Sequence, residues 1–427
     1  MAVAPLTANL KHLTDDMPGI GGTIKQSPED FVVEEQPLYE ASGSGEHMML
    51  FVEKRRQTTS DVVRRLAKLF SVRRSNVGYA GLKDKQAVTR QHFTVHVPDP
   101  TNDQKCLDRF EFLPYRLIWA RRHHNKLRRG HLRGNRFNIR IRDVDLSAVT
   151  IARQTLERLA RTGVPNFVGH QRYGYRQCNH LMGAKLIKKQ WQQFLDTMLG
   201  EPQRDPDAST AEARRMYDTG DFAHTLSLWP RHLRHDRQAL DALRQGRSPR
   251  EAALAVDAQQ LEFLVSAVQS AIFNQVLDER IGGIGFDKLT EGDLAWKHDS
   301  RAVFMVDRQT AEKENGPGGR VRTMQVSPSG PMWGPQMSRT DQLPGQLELA
   351  ALNAQGLSEE DLEAADHVPV YGTRRPMRVP MRDPVIWSGI DRDGTYIHVA
   401  FELPRGSYAT IVLREIMKPQ YPLDETE

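Results

Sequence analysis

Two segments of this chain alternate apolar and polar side chains with a period of two, which confines them to a half-buried β-sheet. Between Arg90 and Val97, Phe93, Val95 and Val97 point one way and His92, Thr94 and His96 the other. Between Arg136 and Arg142, Phe137, Ile139 and Ile141 alternate with Asn138, Arg140 and Arg142. The second segment predicts a strand with an apolar back and a basic front. Further strands are expected over Gly22 to Glu35, His47 to Glu53, Asn76 to Ala80 and Tyr396 to Phe401. Thr58-Thr59-Ser60-Asp61 offers N-cap chemistry to a helix through Phe70, with Val62, Val63, Leu66, Leu69 and Phe70 at helical spacing. Leu146 to Arg161 reads as an amphipathic helix that stops at Thr162-Gly163.

The middle of the chain has a different period. Leu181 to Leu199 and Gln259 to Ile281 read as helices. The second carries an apolar stripe of Leu261, Leu264, Val265, Val268 and Ile272, with Phe263 and Phe273 as core residues. From Asp307 to Leu347 the chain is rich in Gly, Pro and Ser. Asn315-Gly316-Pro317-Gly318-Gly319 and Ser327-Pro328-Ser329-Gly330-Pro331 are expected to be loops, in an insertion rather than in a mobile substrate-facing segment. After the alternating run at Tyr396, Leu403-Pro404-Arg405-Gly406 turns, and Ser407 is expected to cap a helix through Met417. Strand-rich ends around a helical middle describe one domain inserted into another. A chain of 427 residues has room for about two or three domains.

Several classes are excluded or disfavoured. No apolar run approaches the roughly 20 residues that span a membrane, and Met1 to Leu13 lacks the basic-then-apolar order of a signal segment. Cys106 and Cys178 are too few for a disulfide framework and read as packed thiols. A cytoplasmic protein is expected. Net charge is only +5, but its distribution is uneven. Arg121 to Arg133 reads Arg-Arg-His-His-Asn-Lys-Leu-Arg-Arg-Gly-His-Leu-Arg without an acid, and Arg55-Arg56, Arg64-Arg65 and Arg73-Arg74 precede it. Such clusters suit either a solvated basic face or a surface for nucleic-acid phosphates. His123-His124 has no matching metal-ligand pair nearby and reads as phosphate-facing.

Against that background Gly81-Leu82-Lys83-Asp84-Lys85 stands out. It lies between two expected strands, so Asp84 belongs to a loop on a rigid scaffold. A solvated turn has the same composition. A carboxylate in a basic setting also suits a group that must stay ionised while it meets a polyanion.

Segments distributed along the chain resemble the TruD family of tRNA pseudouridine synthases. They are Lys25 to Glu35, Gly78 to Gln91, Arg133-Gly134-Asn135-Arg136-Phe137, Pro165 to Gly174, and Leu403 to Thr410. Ser270-Ala271-Ile272-Phe273-Asn274 and Arg374-Arg375-Pro376-Met377-Arg378 are two further landmarks. They occur in the family's order over most of the chain. The resemblance implies an α+β fold. A catalytic domain on a mixed, mostly antiparallel sheet, residues 1–160 plus 376–427, is interrupted by an inserted α/β domain, residues 161–375, with a cleft between them. The chain is expected to exceed typical bacterial members in length, with the excess between about Pro230 and Met337.

The resemblance also implies the chemistry: isomerisation of uridine 13 in the D arm of tRNA to pseudouridine. It requires no cofactor and no metal, and it implies tRNA as partner, no obligate protein partner and a monomer. Asp84 matches the catalytic aspartate, as nucleophile or as base. Lys25 and Lys83 are candidate cationic partners. Lys25 is favoured because it lies in the matched segment with Phe31, whereas the side chain of Lys83, next to Asp84, would point away in an extended segment. Phe31, Phe137 and Phe401 match active-site positions that would serve an extruded base, and Asn135 would bond the uracil or sugar edge. Core packing is the competing reading for each Phe. Gln171 and Arg172 match a hinge into the inserted domain, or pack at a domain interface. Two rival functions are a metal-dependent nuclease using Asp84 with Glu34 or Glu35, and an RNA-binding module without catalysis.

Overall fold

A computed structural model describes residues 9–419. Residues 1–8, part of the segment read for a signal, lie outside it. Among the described residues no helix is long and apolar enough to cross a membrane. The chain divides into two compact units, one of residues 14–164 with 379–419 and one of residues 165–378 with 9–13. The N-terminal segment thus joins the second unit, where Lys11 N donates to Asp278 Oδ1 at 2.6 Å.

In the first unit, strand β1 spans Phe31–Pro37, β2 His47–Arg55, β3 Val77–Tyr79, β4 Val88–His96, β5 Tyr115–His123 and β6 Leu132–Arg142. Two later strands, Arg382–Asp391 and Gly394–Pro404, complete one sheet. From one edge the order is Arg382–Asp391, Gly394–Pro404, β6, β1, β4, β2, β5, with β3 also pairing to β4. β1 and β4 pair in parallel, and the other pairings are antiparallel. This is the mixed, mostly antiparallel sheet that the resemblance implies. Helix α1, Thr59–Leu69, begins where Thr58 Oγ1 accepts from Asp61 N at 3.1 Å and Asp61 Oδ2 accepts from Thr58 N at 3.2 Å. Its Val62 and Leu66 are buried against Leu50, Val52, Phe93 and Val95 of the sheet. Each such side chain contributes about 1.5–3 kcal/mol of burial.

Several local expectations change. The extended segment before Glu35 becomes a strand only at Phe31. Pro28–Asp30 is a short 3-10 turn, with Ser27 N bonded to Asp30 Oδ2 at 2.9 Å. Asp30 is fully buried and needs a cation, and Arg142 supplies it through Nε at 2.8 Å. Arg142 is therefore not part of a basic front: it is 1% exposed and also bonds Asp391 at 2.9 and 3.0 Å. The amphipathic helix before Gly163 spans Val149–Thr162, preceded by a 3-10 turn at Leu146–Ala148. The last helix, Ala409–Met417, starts at Tyr408 without a side-chain cap, so Ser407 does not cap it.

The second unit is helix-rich around a small sheet. The helix expected over 181–199 is two, Asn179–Ile187 and Trp191–Leu199, because Lys189 turns left-handed (φ 57°) and Gln190 N closes on Lys185 O at 2.9 Å. The Ser327–Pro331 segment is not a loop. It lies within the strand Val326–Met332, between Leu294–Lys297 and Thr373–Pro376 in a four-stranded sheet, and is buried throughout. Its small residues are what the packing demands. A Cβ on Gly330 would stand 2.9 Å from the Phe273 ring of the long helix Ala258–Gly282. Cys178 is buried in this unit, Cys106 is partly buried in the other, and both are free thiols.

Candidate active site

Strands β3 and β1 lie on the same side of β4 and leave a gap between them. β3 pairs with Phe93 to Val95 and β1 with Val88 to Arg90, so Gln91 and His92 face no strand on that side. Side chains fill the gap. His92 N donates to Glu35 Oε1 at 3.1 Å, and Gln91 Nε2 donates to Gly81 O. Thr59 Oγ1 donates to Gln91 Oε1 at 3.1 Å and accepts from Lys83 N at 3.1 Å. The loop from β3 to β4 is thereby tied down on both sides of Leu82, immediately ahead of Asp84.

The Asp84 carboxylate is held at both oxygens. Oδ1 accepts from Gln86 N at 2.9 Å, and Oδ2 lies 2.5 Å from Lys25 Nζ. The Asp84 side chain keeps 18% of its surface exposed while that of Lys25 keeps 6%. Solvent therefore reaches the carboxylate but hardly reaches its cation. Lys25 adopts a left-handed backbone (φ 60°), and its ammonium stands 4.6 Å from the centre of the Phe31 ring. Phe31 meets Phe137 edge-on at 6.4 Å, and Phe137 lies 5.5 Å from Phe401. Register explains the row: Phe137 sits across from Val33 on β1 and from Phe401 on the Gly394–Pro404 strand. All three rings are buried, Phe401 most deeply at 1% exposure. Phe31 is thus the ring adjoining the Lys25–Asp84 pair, and Phe137 links it to the more deeply buried Phe401.

Lys83 turns away from its neighbour Asp84. Its ammonium donates to Asn135 Oδ1 at 2.9 Å and pairs with Glu35 at 3.1 Å. Glu35 is 2% exposed, and His92 Nδ1 lies 3.2 Å from its other oxygen. Burial pushes the Glu35 carboxyl up, but Lys83 and His92 outweigh it and hold the group below its ordinary value. Glu34 is engaged by Arg90 at 2.9 Å. Both carboxylates named in the nuclease reading are therefore committed to cations. Among the described residues no group of three or more His, Cys, Asp and Glu is arranged to hold a metal ion.

Three polar residues of the site lie outside the candidates that the sequence offers: Gln91, Glu35 in its role as an anchor, and Lys54, whose ammonium donates to Asp84 O at 3.0 Å. Each was detectable by phase. Glu35 follows Phe31 and Val33, Lys54 follows Leu50 and Val52, and Gln91 precedes Phe93 and Val95, all on the buried parity. The basic run divides in two. Arg122 is consumed by Asp103 at 2.5 and 2.7 Å, and His123, expected to face phosphate, is 5% exposed and stacks on Tyr39 at 5.2 Å. Arg121, His124, Arg128, Arg129 and Arg133 are exposed. A cavity of about 680 Å³ beside the Lys25 segment includes Arg55, Arg140 and Arg142 in its lining, but Glu29, Asp391 and Asp30 already pair with these.

In the second unit, Arg172 lies over Phe263 at 4.9 Å. Asn274 ties down the Pro165–Gly174 segment, accepting from Val168 N at 2.8 Å and donating to Val168 O and Tyr173 Oη. Gln171 belongs to the short turn His170–Tyr173 of that segment.

The family described as tRNA pseudouridine synthase D (TruD) matches residues 7–416. The chain belongs to the TruD family. The tRNA pseudouridine synthase D of Geobacter metallireducens is 39% identical over 98% of this chain and 100% of its own length. That of Thermus thermophilus is 33% identical over 97% of this chain and 94% of its own. The crystal structure of a TruD protein from Methanosarcina mazei superposes with a TM-score of 0.82 at 26% identity, covering 97% of each chain.

Proposed function

We propose that this chain isomerises a uridine of tRNA to pseudouridine, with Asp84 as the reacting carboxylate and uridine 13 of the D arm as the target. Family membership supports the reaction class. The observation that carries the residue assignment is the Lys25–Asp84 pair at 2.5 Å, part-exposed at the carboxylate and adjoining Phe31. In the reaction the N1–C1′ bond breaks, the uracil turns, and C5 bonds to C1′. The proton on C5 leaves and N1 gains one, so nothing is oxidised or hydrolysed. The target base must leave its stack to reach a carboxylate. The Asp84 carboxylate acts on the sugar or the base while Lys25 pairs with it at 2.5 Å. Asn135, oriented by Lys83, is the edge contact for the flipped nucleotide.

The test maps pseudouridines in tRNA from cells with and without the protein, and then with Asp84→Asn. Loss at position 13 in both deficient strains is expected, with tRNA binding by the purified variant retained. An unchanged position 13 would sink the substrate assignment, and turnover by Asp84→Asn would sink the role of Asp84. Shortened RNA products would favour a nuclease.

A further inference from the structure

Lys54 is a lysine on the core side of β2. It continues the buried series Leu50 and Val52 and is 1% exposed. A buried ammonium is costly unless its N–H groups are satisfied. Here they reach main-chain carbonyls: Gln57 O at 2.6 Å, Asp84 O at 3.0 Å and Lys83 O at 3.4 Å. Two of these acceptors belong to the peptide that presents the Asp84 side chain. The third lies just ahead of Thr58, the cap of α1. One ammonium therefore joins the sheet, the turn into α1 and the Asp84 loop.

We infer that Lys54 is a positioning residue for the proposed reaction: its protonated side chain fixes the Asp84 peptide, and loss of that proton releases it. The inference rests on the reading of Asp84 as the reacting carboxylate. Three N–H groups match three carbonyls, whereas a neutral amine has two N–H groups and a lone pair that repels the third. The charged and titratable groups around Lys54 are Asp84 and Lys83 on the loop, Asp61 on α1, and Tyr115, which lies across from it on β5. Burial pulls the Lys54 ammonium down to about 8, with Asp84 and Asp61 opposing and Lys83 assisting.

The sign of the effect separates positioning from stability. Above about pH 8 the native state sheds the Lys54 proton while the unfolded chain keeps it up to the ordinary value of 10.5. Between those values the unfolded state binds more protons, so the contribution of Lys54 to stability rises with pH. Turnover, in contrast, falls as the clamp opens.

The experiment measures kcat and KM for tRNA across neutral to alkaline pH, with melting temperatures, for wild type, Lys54→Met and Asp84→Asn. Wild-type kcat should drop through a midpoint near pH 8 without a matching fall in melting temperature. Lys54→Met should lose about 10- to 100-fold in kcat with KM nearly unchanged, and its residual rate should lack that alkaline limb. A wild-type rate flat through pH 8, or wild-type kcat in Lys54→Met, overturns the inference. If Lys54→Met fails to fold, the wild-type profile and melting curve decide alone. Turnover by Asp84→Asn would instead overturn the catalytic reading. A dead Asp84→Asn beside a fully active Lys54→Met removes only the clamp.

Discussion

Lys25 Nζ meets Asp84 Oδ2 at 2.5 Å although 59 residues separate the two in the chain. At this contact Lys25 holds a left-handed backbone (φ 60°), a conformation that costs a non-glycine residue free energy. Replacing Lys25 with Met should lower kcat about 100- to 1,000-fold, the scale for losing one preorganised group at a reacting centre. Lys25→Gly separates side chain from backbone. Glycine relaxes the strain at positive φ but removes the ammonium, so it should be as slow as Met. A Lys25→Gly variant with wild-type kcat would show that the ammonium is dispensable.

Glu35 is the anchor beneath the site. Glu35→Gln leaves Lys83 buried without its carboxylate and should cost about 3–5 kcal/mol in chemical denaturation. The cost should depend on pH. The Glu35 carboxyl is held below its ordinary value of 4.5, because Lys83 and His92 outweigh the upward push of burial. Its contribution is complete above about pH 4.5 and is lost as pH falls through the lower native value. Wild type and Glu35→Gln should therefore converge in stability at acid pH. A constant gap across that range would contradict the ion-pair account.

Gly134 sits on β6 beside Asn135, where the backbone of the Gly394–Pro404 strand comes close. A Cβ there would stand 2.2 Å from Leu403 O and 3.0 Å from its carbonyl carbon. Main chain cannot swing aside as a flexible side chain does, so Gly134→Ala should separate the two strands. Overpacking of this kind costs about 1–3 kcal/mol. Because Asn135 pairs with Leu403 and accepts from Lys83, kcat should fall along with the melting temperature. An unchanged melting temperature would show that the strands part without strain.

Much of this arrangement is legible in the alternating strands, the Thr58 cap and the loop that carries Asp84. What escapes a reading of periodicity is the polar residue in a buried phase. Glu35, Lys54 and Gln91 each extend an apolar series, and each is buried only because a distant segment supplies its partner: Lys83, the loop carbonyls and Thr59 respectively. Local pattern carries no information about those partners. The Ser327–Pro331 strand escaped for the opposite reason. Its Gly, Pro and Ser are turn formers in isolation, yet close approach of Phe273 requires a residue without a Cβ at Gly330. Arg142 shows the same limit for charge, since alternation puts it on the basic face and Asp30 draws it inside.

The basic run offers a test of which arginines meet RNA. Arg128 and Arg133 are exposed, whereas Arg122 keeps only 14% of its side chain exposed and grips Asp103. Each phosphate contact releases condensed counterions, so log K should fall with log salt by roughly 0.7–0.9 per contact. Arg128→Gln with Arg133→Gln should weaken tRNA binding and flatten that slope by about one to two units, without lowering the melting temperature. Arg122→Gln should do the reverse. It leaves Asp103 without its bidentate partner, which lowers the melting temperature, while the salt slope of the folded fraction stays at the wild-type value. Filter binding of tRNA over a range of salt concentrations measures both slopes. If the double variant keeps the wild-type slope, the exposed arginines of this run do not contact phosphate, and the RNA lies elsewhere on the protein.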